Sequence, residues 1–119
     1  MKQGGRAKRI AVDVVFAALA DPTRLAIVER LLADGELTVG DVSERFTITT
    51  PAISRHLRVL EQAGLISRRV ERQWRYLRVK EEALAPVENW ISRQRRHWET
   101  AFNRLEAVAA SRIRRRQKL

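Results

Sequence analysis

The stretch that decides the fold runs from Thr50 to Leu65 and reads TPAISRHLRVLEQAGL. Thr50 followed by Pro51 is typical of a helix start, because a threonine hydroxyl caps free backbone N–H groups and proline is tolerated in the first turn. Apolar side chains then recur at helical spacing, at Ile53, Leu57 and Leu60. The pattern therefore predicts a helix from Pro51 to Gln62 with one buried face.

The sequence before this helix predicts three shorter helices. The first spans Val12 to Ala20, and the second opens at Asp21-Pro22 and closes at Asp34-Gly35. Its expected apolar face contains Leu25, Ile27, Val28, Leu31 and Leu32. Thr38 is the expected N-cap of the third helix, which runs through Phe46.

The sequence after this helix predicts one antiparallel β-hairpin. Residues 65–70 and 74–79 contain β-branched and aromatic side chains, which favour strands. The connection Glu71-Arg72-Gln73 contains no glycine, although two-residue hairpin turns need residues that tolerate positive φ. A longer loop that reaches back to Val70 would remove this requirement, so the sequence leaves the geometry of the turn open. Trp74 and Tyr76 share one strand face, and packing is their expected role.

A long final helix is predicted to begin near Ala85-Pro86 and to end at about residue 111. Its apolar seam follows the a/d spacing of a coiled coil, at Val87, Ile91, Gln94, Trp98, Ala101, Leu105 and Val108. This seam favours dimerisation, with packing within one subunit and a pocket for an organic effector beside the first helix as alternatives. The expected dimer interface contains Val12, Val15, Phe16, Leu19, Val87, Trp90, Ile91, Trp98, Ala101, Phe102 and Leu105.

Charge and composition restrict the class of partner. The 119 residues carry a net charge of +10, from 24 basic and 14 acidic side chains, which points to an anionic partner such as nucleic acid. The chain has no cysteine, which excludes disulfides, thiolate metal sites and a cysteine nucleophile. No apolar stretch approaches the roughly 18 residues of a membrane span, so we expect no membrane partner. Asp13 interrupts the apolar stretch that follows the basic N-terminus, so we expect a cytoplasmic protein rather than an exported one.

The length supports one domain. We expect a flexible basic arm over residues 1–10 and a winged helix-turn-helix domain over residues 11–111. The domain includes a dimerisation helix at about 85–111, and a basic tail follows at 112–119. The expected fold class is mainly α with a small β-hairpin, dimerising through the terminal helices.

The order of elements predicts DNA binding. In a helix-turn-helix, the second helix enters the major groove, and the hairpin behind it would form a basic wing. Five arginines concentrate positive charge in that hairpin, namely Arg68, Arg69, Arg72, Arg75 and Arg78. A solvated basic hairpin with no ligand is the weaker alternative.

Three short motifs resemble those of the ArsR-type winged helix-turn-helix repressors. They are DPTRL at residues 21–25 with Ile27 and Leu31, SRHLRVL at residues 54–60, and AGLI at residues 63–66. The resemblance extends from about Val15 to Val79. It implies a homodimer that binds operator DNA as a repressor and leaves the DNA when an effector binds.

The resemblance also implies DNA contacts in the recognition helix, at Thr50, Pro51, Ser54, Arg55, His56 and Arg58. The positive charge of the wing adds Arg69, Arg72 and Arg75 as expected DNA contacts. The first residues of the recognition helix would face base edges, and Arg58 would contact a phosphate. His56 corresponds to a frequent histidine of the family, and its role is open between capping or packing and DNA contact.

The metal sites of the family are not expected in this chain. Thr38 and Gly40 occupy the positions of the family's Cys-x-Cys pair, and neither side chain can bind a soft metal ion. The final helix offers only His97, with Glu99 on a different helical face. We therefore expect no metal and no cofactor.

Two other functions remain as alternatives, a sequence-independent architectural nucleic-acid binder and a protein-interaction module that uses the helical seam. An enzyme is not expected, because the sequence contains no Ser/His/Asp set, glycine-rich phosphate loop or paired carboxylate cleft.

Overall fold

The computed structural model describes residues 11–118, so the predicted N-terminal arm over residues 1–10 lies outside the described residues. The elements are α1 (Val12–Leu19), α2 (Pro22–Asp34), β1 (Leu37–Thr38), α3 (Val39–Arg45), α4 (Thr50–Gln62), β2 (Ile66–Glu71), β3 (Trp74–Val79), a 3₁₀ turn (Glu81–Ala83) and α5 (Ala85–Lys118). Contacts divide the chain into two units, with the boundary between Val87 and Glu88. The first unit is the winged helix-turn-helix.

Polar side chains fix the starts of three helices. The Asp21 carboxylate accepts a hydrogen bond from the backbone N–H of Arg24 at 3.0 Å and so caps α2. Thr38 and Asp41 form a reciprocal capping box at the start of α3. The predicted cap of α4 is wrong by one residue, because Thr49 is the N-cap and Thr50 is already helical.

The core of the first unit is built from one narrow stripe on each helix and from the sheet. Ile27, Val28 and Leu31 of α2 are buried, and so are Ile53, Leu57 and Leu60 of α4. Leu25 and Leu32, which were expected in the apolar face of α2, are exposed at 41% and 51%. The buried stripe of α2 is therefore narrower than the sequence pattern predicts.

The sheet has three strands rather than the two of the predicted hairpin. Its order is β1-β3-β2, with β1 paired to β3 through Leu37↔Leu77 and Thr38↔Tyr76. Leu77 is fully buried, whereas Trp74 is 51% exposed. The expected packing role of Trp74 is therefore not realised within the chain.

The wing turn, whose geometry the sequence leaves open, contains two residues and is not a longer loop that reaches back to Val70. Glu71 and Trp74 still pair across the hairpin, which leaves only Arg72 and Gln73 in the turn. Arg72 adopts the left-handed conformation with φ 59°. The turn therefore places an arginine in a conformation that normally favours glycine.

Helix α5 is 34 residues long and continues through Lys118, beyond the predicted end at residue 111. Most of the segment expected to be a separate basic tail, residues 112–118, is therefore helical. Near its start, Val87 packs against the core of the first unit.

Candidate nucleic-acid interface

Helix α4 separates its apolar and polar side chains onto opposite faces. Ile53, Leu57 and Leu60 are at most 1% exposed. The three polar residues predicted on the outer face, Arg55, Arg58 and Gln62, are all exposed, and so is Ser54, which was expected at its edge. Because the buried stripe fixes the rotation of the helix, the polar face is held toward solvent. The predicted separation of core and surface residues on this helix is therefore confirmed.

The first turn of α4 is held by the residue before it. The Thr49 hydroxyl accepts a hydrogen bond from the backbone N–H of Ala52 at 3.3 Å. Thr50 and Pro51 follow and are exposed. The positive end of the helix dipole adds to the attraction that this turn exerts on an anion. Base and phosphate contacts by these residues remain a prediction.

His56 faces the interior of the unit. Its Nδ1 lies 3.7 Å from Oδ2 of Asp21, and only 21% of its side chain is exposed. The backbone hydrogen bond from Arg24 lowers the pKa of Asp21 most, and the charge of His56 lowers it less. Between the two roles left open by the sequence, the structure favours packing. The predicted DNA contact by His56 is not supported, because the ring is directed to the N-cap of α2.

Arg68 joins the recognition helix to the wing. Its Nε and Nη2 donate to the two carboxylate oxygens of Glu61, each at 3.0 Å. This side-chain hydrogen bonding raises the pKa of Arg68. Because Glu61 is in α4 and Arg68 is in β2, the pair fixes the root of the wing relative to α4. Paired guanidinium–carboxylate hydrogen bonds are geometrically specific, which suits this positioning role.

Arg69 bridges the sheet, with 51% of its side chain still exposed. Its Nη2 donates to Glu36 Oε1 at 3.1 Å, and Nη1 donates to Glu71 Oε1. Its guanidinium carbon lies 4.4 Å from the centroid of the Tyr76 ring, which is a cation–π contact. We call Arg69, Tyr76 and Glu36 the cross-sheet strap. A DNA contact by Arg69 remains a prediction, although its guanidinium is bound to two carboxylates.

Arg72 and Arg75 are the wing cations that remain available. Both side chains are exposed, and neither is paired with a carboxylate within residues 11–117. Arg78, on the same strand as Arg75, is also exposed. The structure therefore divides the five wing arginines into two that are bound to carboxylates and three that are not bound to one within residues 11–117.

The carboxylates of Glu36, Glu61 and Glu71 were not identified from the sequence. Their partners lie on other strands or on another helix, so the pairing depends on the sheet register. The run of arginines in the wing was visible, but nothing local in the sequence shows which arginines are neutralised.

The expected dimer residues divide between the two units. In the first unit, Val15 is 0% exposed, so it has no surface to offer a partner and must be removed from the predicted interface. Val12 and Leu19 are half-buried, and Phe16 is exposed. Leu19 and Val87 both pack against the core of their own subunit.

The second unit presents the predicted seam to solvent. Trp90, Ile91, Trp98, Phe102 and Leu105 are exposed, and Ala101 is half-buried. The rings of Trp98 and Phe102 contact each other, with 6.4 Å between centroids. A stripe of large apolar side chains of this extent marks an interaction surface.

The two positions where the family has its Cys-x-Cys pair, Thr38 and Gly40, differ in their surroundings. Thr38 caps α3, and its backbone N–H, which donates to Asp41, lowers the pKa of Asp41 most. Gly40 is exposed. Among the residues that the structure describes, no three His, Cys, Asp or Glu side chains are grouped as a metal site. None of the helices in residues 11–118 combines the length and apolar character needed to cross a bilayer.

Comparison with known proteins identifies the family. Residues 21–68 match the family described as bacterial regulatory protein, arsR family. The transcriptional repressor SdpR of Bacillus subtilis is 42% identical over 77 residues, which cover 65% of this chain and 84% of that protein. The chain belongs to the ArsR family. It is a DNA-binding transcriptional regulator with a winged helix-turn-helix fold, as its three sequence motifs predict.

Solved structures agree with this assignment. The crystal structure of an ArsR family transcriptional regulator is 33% identical, with a TM-score of 0.67, and the match covers 74% of this chain and 90% of that one. An ArsR-like regulator from Rhodococcus sp. RHA1 is 23% identical with a TM-score of 0.69, and the match covers 88% of this chain and 96% of that one. The second comparison supports the fold alone.

Proposed function

We propose that this ArsR-family protein is a homodimeric repressor that binds a palindromic operator and acts in the cytoplasm without enzymatic activity. The observation that carries the proposal is the polar face of α4, where Ser54, Arg55 and Arg58 are exposed opposite a fully buried stripe. A helix with this division of faces suits the major groove, where side chains of its first turns reach base edges.

Arg55 is the proposed reader of sequence. It is exposed in the second turn of α4, and a guanidinium can donate two hydrogen bonds to the O6 and N7 atoms of guanine. Thr50, Pro51 and Ser54 lie beside it in the first turns, where hydroxyls suit bases or phosphates. Each of these residues would contribute to the preference of the protein for its operator over other sequences.

Arg58, Arg72 and Arg75 are the proposed phosphate contacts. All three are exposed, and within residues 11–117 none is bound to a carboxylate. Phosphate contacts position a protein on the duplex and carry no direct sequence information. Arg69 and His56 are not included, because the structure holds each of them against acidic side chains.

The proposed dimer forms through α5, whose exposed stripe contains Trp98, Phe102 and Leu105. Two recognition helices related by a two-fold axis would read half-sites about 10 bp apart or a multiple of that spacing. Repression would follow from occlusion of a promoter.

The proposed effector is a small organic molecule. The chain has no cysteine, and Thr38 and Gly40 stand where thiolates would be needed. Any such effector must bind the DNA-free dimer more tightly than the operator-bound dimer, since only differential affinity shifts the equilibrium. Release of the protein from its operator during a screen of apolar aromatic compounds would identify it, and no hit would remove the effector from the proposal.

The test of sequence reading compares Arg55→Ala with Arg72→Ala. Operator sequences are first selected by the purified protein from a random duplex pool, and affinities are then measured by fluorescence anisotropy. We expect Arg55→Ala to cost about 1–3 kcal/mol and to relax the preference at one base pair per half-site. Arg72→Ala should weaken binding to all sequences alike and lower the salt slope by about 0.9.

The wild-type protein provides the reference for this test. The affinity of the wild-type protein for selected sites should exceed its affinity for random duplex by about 10³-fold or more at physiological salt. Equal affinity for selected and random sequences would instead identify a sequence-independent architectural protein. Identical behaviour of the two variants would contradict the division into readers and positioning residues.

A further inference from the structure

The net charge of the chain does not reside in the winged unit. Residues 11–87 contain eleven basic and eleven acidic side chains, which cancel. The first ten residues contain four basic side chains and no acidic one, and residues 88–119 contain nine basic and three acidic side chains. The whole excess of +10 therefore lies at the two ends, +4 before the unit and +6 after it.

The arginines of α5 are arranged along one face of the helix. Arg93, Arg104 and Arg115 are spaced by eleven residues. Eleven residues make three helical turns to within about 20°, so these side chains lie nearly in line. Arg112 lies beside them and lines a shallow groove with Arg104, Val108, Ser111 and Arg115. We call Arg93, Arg104 and Arg115 the arginine face. Arg112 follows Val108 by four residues and so continues the apolar seam.

The acidic residues of α5 lie away from this face. Glu88 and Glu99 each precede an in-line arginine by five residues, and Glu106 follows Arg104 by two. These separations place each carboxylate about 120° or more around the helix from the in-line arginines. Within residues 88–117, no arginine forms an ion pair with a carboxylate. Within this range the arginines of α5 therefore keep their full charge, unlike Arg68 and Arg69 of the wing, which are bound to carboxylates.

We propose that the arginine face is a second nucleic-acid-binding surface, which binds the phosphates of duplex DNA without regard to sequence. From Arg93 to Arg115 the helix rises about 33 Å, close to the roughly 34 Å of one turn of duplex. A duplex carries about one negative charge per 1.7 Å, so phosphates are within reach of each arginine along such a length. The proposal does not depend on which base pairs α4 reads.

Duplex DNA is favoured over an anionic membrane by the position of the acidic residues. A helix lying on a membrane needs cations around its apolar stripe. Glu99 and Glu106 lie one turn before and one turn after Phe102, directly beside the apolar stripe of α5. Insertion of that stripe into anionic lipid would bring both carboxylates against the headgroups. One edge of the apolar stripe is flanked by arginines, which suit an anionic surface. The other edge is flanked by carboxylates, which anionic headgroups would repel.

The experiment compares two triple variants of the full-length protein with equal loss of charge. The first, R93Q/R104Q/R115Q, removes the in-line residues of the arginine face. The matched control, R95Q/R114Q/R116Q, removes three exposed arginines that point to other sides of the same helix. Glutamine is a good helix former, so circular dichroism should show unchanged helix content in both variants. Binding to a 30-bp duplex of random sequence is then measured by anisotropy over a series of salt concentrations.

We expect the in-line variant to lower the salt slope by about 0.9 for each of its three lost phosphate contacts, and the control variant to lower it by less than one. An equal loss in both variants would overturn the proposal, because net charge rather than a face would then be responsible. No loss in either variant would also overturn it. Loss of binding to vesicles of anionic phospholipid, with DNA binding unchanged, would assign the face to a membrane instead.

Failure of this proposal is distinguishable from failure of the operator function. Base preference at selected sites is tested by Arg55→Ala in α4, which leaves all of α5 unchanged. If the arginine face acts as proposed, the in-line variant should reduce affinity for selected and random duplex by the same factor. A changed preference among sequences in that variant would contradict a sequence-independent role.

Discussion

At the scale of single residues, the exposed arginines of the wing form two classes, those that are bound to carboxylates and those that are not. Arg68 and Arg69 are bound to carboxylates from α4, the turn before β1 and the wing itself. Arg72 and Arg75 have no such partner within residues 11–117. The pairing raises the pKa of Arg69, chiefly through its hydrogen bonds to Glu36 and Glu71. The charge of a guanidinium so engaged is offset by two carboxylates, so it attracts a phosphate less strongly.

The cross-sheet strap predicts different roles for Arg69 and Arg75 in DNA binding. Arg69→Gln should leave the salt slope of binding unchanged, whereas Arg75→Gln should lower it by about 0.9, as expected for one lost phosphate contact. The measurement is anisotropy with random duplex over a salt series. An equal decrease in both variants would mean that Arg69 leaves Glu36 to contact DNA.

Urea unfolding provides the control for the strap itself. Glu36→Gln and Arg69→Gln should each lower the free energy of unfolding. The double variant should lower it by less than the sum of the two single decreases. Such non-additivity is the signature of two residues that act through one contact.

At the scale of elements, the wing turn combines a binding role with an unfavourable backbone conformation. Arg72 has φ 59°, which costs a residue with a Cβ about 1 kcal/mol more than glycine. Arg72→Gly should therefore raise the free energy of unfolding by about 1 kcal/mol and also weaken DNA binding. Urea unfolding and anisotropy measure the two effects. Gln73→Gly is the matched control, because Gln73 does not have positive φ and should gain no stability. Stabilisation by both changes would contradict the argument.

The helices were predictable because their buried stripes and caps are local in the sequence. Ile53, Leu57 and Leu60 follow one face, and Asp21 and Thr38 cap the helices that they precede. Strand β1 was missed because two residues, Leu37 and Thr38, form no period and become a strand only by pairing with β3.

The geometry of the wing turn could not be decided from the sequence for a related reason. Pairing of Glu71 with Trp74 outweighs the local preference for glycine at Arg72. The same limit applies to the candidate site, since the exposed face of α4 follows from periodicity whereas the partners of Arg69 follow from register.

At the scale of the whole molecule, recognition and general attraction to DNA are assigned to different parts of the chain. The winged unit carries as many acidic as basic side chains, so its affinity for DNA must come from the placement of a few cations such as Arg55 and Arg72. The excess positive charge of residues 88–119 belongs to α5, which also carries the apolar seam. Dimerisation and sequence-independent attraction would thus use different sides of one helix.

The apolar seam of α5 predicts that a single exposed leucine controls the oligomeric state. Leu105 is 67% exposed in the single chain, so Leu105→Glu should leave the fold intact. In a two-fold dimer the change removes two buried leucines, each contributing about 2 kcal/mol, and should raise the Kd of dimerisation about a thousandfold. Sedimentation velocity at micromolar concentration should show a dimer for the wild type and for the control Asn103→Glu, which adds the same charge at an exposed residue about 160° around the helix from Leu105. It should show a monomer for Leu105→Glu, with much weaker binding to a palindromic site because the second half-site is no longer held in place. A wild-type protein that is already monomeric at this concentration would contradict the dimer and leave the seam to another protein partner.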